Sequence, residues 1–165
     1  MIPTVLRVAA SREKRVGVFG TDYPTPDGTA IRDFIHVEDV TRAQLLALEA
    51  AEARTHKVYN LGNGSGYSVR EVVEAASRIT GRWVEVAEAP RCAEDPAVVV
   101  ASSEKIKAEL GWPPEKPDLE TMISDAWKAY TVIVGYRFGH SPVTKTAVRD
   151  TQRSTPPRSH CRSFS

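Results

Sequence analysis

The stretch from Val16 to Asp39 constrains this chain most. Val16 to Phe19 reads as a short apolar strand, and a turn-rich excursion leads to a second strand in which Ile31, Phe34, Ile35 and Val37 surround Arg32, Asp33 and His36. Pro24 and Pro26 fix φ, and Asp27-Gly28 supplies a residue free to take positive φ. Arg32 offers a fork of donors that matches two phosphate oxygens. On spacing alone, a surface ion pair of Arg32 with Asp33 or Glu38 serves as well.

The remaining segments alternate between helical and extended periodicity. Ile2, Val5, Leu6, Val8 and Ala9 form one stripe of a helix over Ile2 to Arg12, so the chain opens with a helix and not with the strand of a dinucleotide fold. Val40, Ala43, Ala47 and Ala50 mark a helix over Val37 to Arg54, with Glu38 and Asp39 favouring its N-terminal dipole. Lys57 to Leu61 reads as a short strand. The glycine-rich Gly62 to Gly66 joins it to a helix, as a phosphate-cradling loop would. Ser68 and Glu71, however, form a capping box that takes up the helix donors, so a structural turn is expected. That helix carries Val69, Val72, Val73, Ala76 and Ile79 inward and stops at Gly81. Trp83 to Ala87 alternates as a strand, Pro90 to Pro96 is a charged loop, and Ala97 to Ala101 is an apolar run. A short helix capped by Ser102 ends at Gly111. A last helix from Asp118 carries Leu119, Met122, Ile123, Ala126, Trp127 and Tyr130.

A chain of 165 residues with net charge +1 fits one domain and points to neither nucleic acid nor membrane. The charge is uneven, because Arg137, Lys145, Arg149, Arg153, Arg158 and Arg162 face only Asp150 after Tyr130. Residues 1–130 therefore read as a folded body and 131–165 as a basic, disordered tail. Out-of-frame translation after a lesion near codon 130 and a natural basic extension both account for that tail. Cys92 and Cys161 lie far apart without C-x-x-C spacing, which indicates neither a disulfide framework nor a zinc site. His36 reads as a structural residue. The cytoplasm is the expected compartment.

A longer resemblance runs through Phe19-Gly20-x-Asp22-Tyr23-Pro24-Thr25-x-Asp27-Gly28-Thr29, Arg32-Asp33-Phe34-Ile35-His36-Val37-x-Asp39, Tyr59-Asn60-Leu61-Gly62, Gly66-Tyr67-Ser68-Val69, Pro90-Arg91, Glu109-Leu110-Gly111-Trp112 and Asp125-Ala126-Trp127. Over residues 1–130 the chain resembles the C-terminal half of UDP-glucose 4-epimerases, which are extended short-chain dehydrogenase/reductase enzymes. The resemblance implies an α/β fold: a C-terminal substrate domain plus elements that complete a Rossmann sheet, with the N-terminal NAD-binding half absent. Carried over by position, Gly17, Val18 and Phe19 would lie along the uracil of a UDP-sugar, Arg32 would contact the diphosphate, and Asp95 would accept from the ribose hydroxyls. Cys92 stands where the family has a second phosphate arginine, and Glu94 where it has a glycine. One charge-assisted contact fewer costs on the order of 1.5–3 kcal/mol, a roughly tenfold to hundredfold weaker ligand. Phe34 replaces a commoner tyrosine, and Val99 falls where some relatives have one. The family also allows a homodimer.

In that family C4 of the sugar loses a hydride to bound NAD while a tyrosinate, assisted by a lysine four residues on, takes the hydroxyl proton. Here the residues four after each tyrosine are Asp27, Asn63, Glu71, Val134 and His140, so no Tyr-x-x-x-Lys occurs. No Gly-x-x-Gly-x-x-Gly occurs either. No catalytic, cofactor or metal residue is therefore assigned, and NAD binding by this chain is not expected. The resemblance implies an epimerase part that supplies a UDP-sugar half-site. A non-catalytic UDP-binding fragment, an inactive remnant, and part of another NAD-dependent nucleotide-sugar epimerase or decarboxylase are the alternatives.

Overall fold

The computed structural model describes residues 1–11 and 15–138. Helix α1 (Ile2–Ser11) leads into strand β1 (Val16–Phe19), β2 (Ile31–Arg32) and α2 (Val37–Glu49). After these come β3 (Tyr67–Ser68), α3 (Val69–Thr80), β4 (Val86–Ala89), β5 (Val98–Val99), α4 (Glu104–Leu110) and α5 (Leu119–Phe138). Strand β1 pairs in parallel with β4, Val16 facing Val86 and Phe19 facing Ala89. In a second small sheet β2 lies between β3, antiparallel, and β5, parallel.

The main core is the helical stripe read from the sequence. Val5, Leu6, Val8 and Ala9 of α1 meet Val72, Val73, Ala75 and Ala76 of α3 and Leu119 and Ile123 of α5, with Val16 and Val84 closing the cluster. Helix α3 starts with the expected capping box: the Glu71 N–H donates to the Ser68 hydroxyl (3.0 Å) and the Ser68 N–H to the Glu71 carboxylate (2.6 Å). It ends at Gly81 with φ 65°. A second core joins Ala43, Ile106 and Trp112, flanked by Leu46, Tyr59, Leu61 and Leu110.

The turn between β1 and β2 is built on Asp27. Its carboxylate accepts the Thr29 N–H (2.8 Å) and hydroxyl (2.7 Å), and also the Ser68 hydroxyl, which ties the turn to the start of α3. Gly28 takes φ 77°, as the Asp-Gly pair predicts.

Several extended segments are corrected. The strand expected over Ile31 to Val37 is confined to Ile31–Arg32, because the backbone leaves its ladder to make the N-cap of α2 at His36. Lys57 to Leu61 keeps strand alternation, with Tyr59 and Leu61 packed inward and Val58 exposed. It forms no ladder among the described residues, since no neighbouring strand reaches it. The strand after α3 begins at Val86; Val84 is buried while Trp83 is 87% exposed, so the tryptophan sits on the solvent phase of the alternation. Helix α2 ends at Glu49, short of Arg54. Helix α5 continues past Tyr130 to Phe138, where the sequence marked the start of a tail, with Val132 and Ile133 exposed on it. The rest of that basic stretch lies outside the described residues. Among the described residues no helix is long and apolar enough to cross a membrane.

His36 is structural, as expected. It is 4% exposed, its Nδ1 accepts the Glu38 N–H (3.1 Å), and its Nε2 lies 3.4 Å from Asp125 of α5. Glu38, Asp125 and His36 converge as cation ligands would, but Lys116 Nζ already lies 2.9 Å from Glu38 and 3.1 Å from Asp125. Hydrogen bonds from Lys116, then Lys128, hold the Asp125 carboxyl at about 2, below its ordinary 3.8. The folded protein therefore keeps this charge to lower pH than the unfolded chain does. The resulting stabilisation is complete above about pH 4 and is lost as pH falls from there through about 2. The Asp118 carboxyl, which accepts the Thr121 N–H, is lowered too and acts in the same direction. Asp125→Asn is expected to flatten, without abolishing, the acid arm of the unfolding midpoint between about pH 5 and 2. An unchanged slope would refute this role.

Candidate functional site

Strand β1 presents alternate sides to core and cleft. Val16 and Val18 are buried, leaving Gly17 and Phe19 on the open side. The Phe19 ring lies across Gly17, where an added Cβ would come within 3.1 Å of it. Gly17 and Phe19 thus make a flat, half-exposed aromatic surface, to which Val18 contributes backbone only.

The ends of the two parallel strands open beside that surface. Gly20, Thr21 and Asp22 leave β1, Glu88 to Arg91 run out of β4, and together they line a cavity of about 360 Å³. The carboxyl ends of parallel strands are where open α/β sheets place ligands. Gly20 is required here: with φ 86°, a side chain would overlap the Tyr23 ring at 2.5 Å and the Arg91 side chain at 2.6 Å. Its absence lets Tyr23 tuck beneath the cavity with Arg91 over its ring, 5.6 Å from the centroid.

Arg32 ends β2, and Asp95 lies in the loop before β5. Arg32 Nη2 meets Asp95 Oδ1 at 2.5 Å, and Nη1 donates to its neighbour's carbonyl, Ile31 O, at 2.8 Å. The parallel pairing of β2 with β5 carries the Pro90 to Pro96 loop back to this point. Within the loop, the Asp95 N–H donates to Cys92 O (3.2 Å). Cys92 is engaged in the structure and is not a free thiol.

The structure gives Arg32 an ion-pair partner, Asp95, other than the two its spacing suggests. Asp33 is occupied elsewhere, its carboxylate accepting the N–H groups of Asn63 and Ala101, each at 3.1 Å, and Glu38 belongs to Lys116. Asp33 thereby fastens the loops after residues 61 and 100 beneath the site. Asp39 does the same for another crossing: 1% exposed, it accepts the N–H groups of Glu115 and Lys116, both at 3.0 Å. Sequence reasoning assigned neither role, since an acidic residue in a first helical turn is ordinarily a dipole partner. Tyr23 also packs against Gly20 and Arg91, which line the cavity, and its place in the turn between Phe19 and Asp27 is the only sequence signal for that position.

A dinucleotide does not fit the glycine-rich loop at Gly62 to Gly66. The capping box occupies the N-terminus of α3, and a Cβ on Gly62 would meet Ala101 O at 2.1 Å, so close backbone packing already fills the space beside that glycine. The expected structural turn is what is found.

The family model for the NAD dependent epimerase/dehydratase family matches residues 1–62. The UDP-glucose 4-epimerase of Corynebacterium glutamicum is 52% identical over 137 residues, which cover 83% of this chain and 41% of that protein. Among solved structures, the UDP-glucose-4-epimerase of Stenotrophomonas maltophila, with bound NAD and formylated UDP-arabinopyranose, superposes with a TM-score of 0.75 at 40% identity, covering 82% of this chain and 40% of that one. The enzyme of Bifidobacterium longum, in complex with NAD+ and UDP, gives 0.71 at 37% identity, covering 79% and 39%.

Residues 1–62 thus match the NAD dependent epimerase/dehydratase family, and 82% of the chain superposes on a solved UDP-glucose-4-epimerase. Within that family the proteins it matches are UDP-glucose 4-epimerases, and it spans about two-fifths of their length.

Proposed function

We propose that this chain carries the nucleotide-sugar side of an active site that, with bound NAD, interconverts UDP-glucose and UDP-galactose in a cytoplasmic enzyme of galactose metabolism. Alone, it binds UDP or a UDP-sugar without turning it over. One observation carries this reading: Arg32 and Asp95, 63 positions apart in sequence, meet at the end of β2, and the loop that brings Asp95 there starts at Pro90 and Arg91, which line the cavity. In this assignment uracil lies against Gly17, Val18 and Phe19, the Arg32 fork takes the diphosphate, and Asp95 accepts from the ribose hydroxyls. Solved relatives that hold UDP or a UDP-sugar together with NAD support the ligand class.

The tyrosine-lysine pair and the NAD cradle belong to sequence this chain does not contain. Lys57 to Leu61, with strand alternation and no ladder among the described residues, fits an element that completes a larger sheet. The test is a thermal unfolding scan with UDP, with NAD as the control. At a hundredfold over its dissociation constant, a ligand of the folded form adds about 2.7 kcal/mol. A rise in the midpoint with UDP and none with NAD is expected. No rise with UDP would overturn the assignment, and production of UDP-glucose from UDP-galactose by this chain alone would contradict its catalytic part.

A further inference from the structure

Tyr23 carries a group that neither the fold nor the assigned ligand contacts use. The residue is 5% exposed, yet its hydroxyl is buried without a hydrogen-bond partner among the described residues. Burying such a group unpaired is costly, and native structures rarely do so without a functional reason. The ring itself is well held, between Gly20 and the Arg91 guanidinium. The charged groups that act on the hydroxyl are Asp95, Arg32, Arg91 and Asp22; burial, then Asp95, raises its pKa, while Arg32 and Arg91 oppose them. Asp95 is the natural acceptor among these, but Arg32 occupies its Oδ1 at 2.5 Å.

Resting on the UDP-sugar reading above, we propose that Tyr23 is a positioning residue for Asp95. A diphosphate draws Arg32 off the carboxylate, and the freed Asp95 takes the Tyr23 hydroxyl as its donor. One carboxylate oxygen is then held from below while the other faces the ribose hydroxyls. The Arg32–Asp95 pair is a latch that opens only for a ligand with an anionic group. It exchanges one charge-assisted contact for two, the phosphate on Arg32 and the phenol on Asp95.

The test compares the full chain with Tyr23→Phe, using UDP and inorganic pyrophosphate as probes in calorimetric titrations. Tyr23→Phe removes only the hydroxyl, so the ligand-free thermal midpoint is expected to stay the same or rise. UDP affinity is expected to fall about tenfold and pyrophosphate affinity by a smaller factor, since both ligands draw Arg32 off Asp95 but only UDP also uses the held carboxylate for its ribose. A lowered ligand-free midpoint would show that the hydroxyl is already partnered and overturn the proposal. Equal UDP affinity in the two proteins would do so too, as would a matching loss for pyrophosphate, which would place the hydroxyl on the phosphate. Failure of the wild-type chain to bind UDP would strike the UDP-sugar reading instead, and is told apart by that fact.

Discussion

Replacing Trp112 by alanine is expected to lower the unfolding free energy by about 3–5 kcal/mol. Trp112 is 1% exposed and fills the second core with Ala43 and Ile106, against which Leu46, Tyr59, Leu61 and Leu110 pack. Its indole N–H also donates to Asp39 O (2.9 Å), on the helix that opens beside the candidate site. Truncation therefore leaves a large void and orphans a buried carbonyl. Domains of this kind are stable by only about 5–15 kcal/mol, so the loss is a sizeable share of the whole. Trp83→Ala is the matched control, since a side chain 87% exposed should move stability by about 0.5 kcal/mol or less. Urea unfolding followed by far-ultraviolet circular dichroism measures both. A Trp112→Ala loss below about 1 kcal/mol would mean that the second core is not an integral part of the fold.

Arg32→Ala is expected to weaken UDP binding by roughly tenfold to hundredfold, the loss of a charge-assisted contact to phosphate. The free protein should be affected far less. Both partners of the Arg32–Asp95 pair retain solvent contact, at 26% and 41% of their side-chain surface, which discounts its contribution to about 1 kcal/mol or below. The variant thus separates ligand recognition from folding. Arg32→Lys restores the charge but not the planar fork, and should bind between wild type and alanine. Titration calorimetry of the three proteins with UDP gives the ranking. Equal affinity of Arg32→Ala and wild type would remove the diphosphate from this arginine, and with it the central contact of the proposed half-site.

Local signals translated well into local structure. The stripe of α1, the capping box at Ser68 and Glu71, the Asp27-Gly28 turn and the stops at Gly81 and Gly111 each depend on residues a few positions apart. Arg32 and Asp95 are both candidates from the sequence, Asp95 through the family resemblance, but only as separate residues. A strand, in contrast, exists only through its partner. Ile31 to Val37 and Lys57 to Leu61 have strand composition, and how much of each is strand depended on which neighbour came within ladder distance.

Long-range contacts account for everything else at the site. No spacing rule reveals that Arg32 faces Asp95 and not Asp33, because that choice depends on Asp33 receiving backbone donors from two distant loops. Likewise Asp39 reads as an ordinary helix-start acid until its crossing segment arrives, and Tyr23 as a turn residue until Gly20 and Arg91 close over it. Periodicity, caps and turn chemistry are set within about one or two turns of chain, so the order of residues alone carries them. Pairing across tens of residues is set by which surfaces pack, and only the folded chain brings those charges to one place.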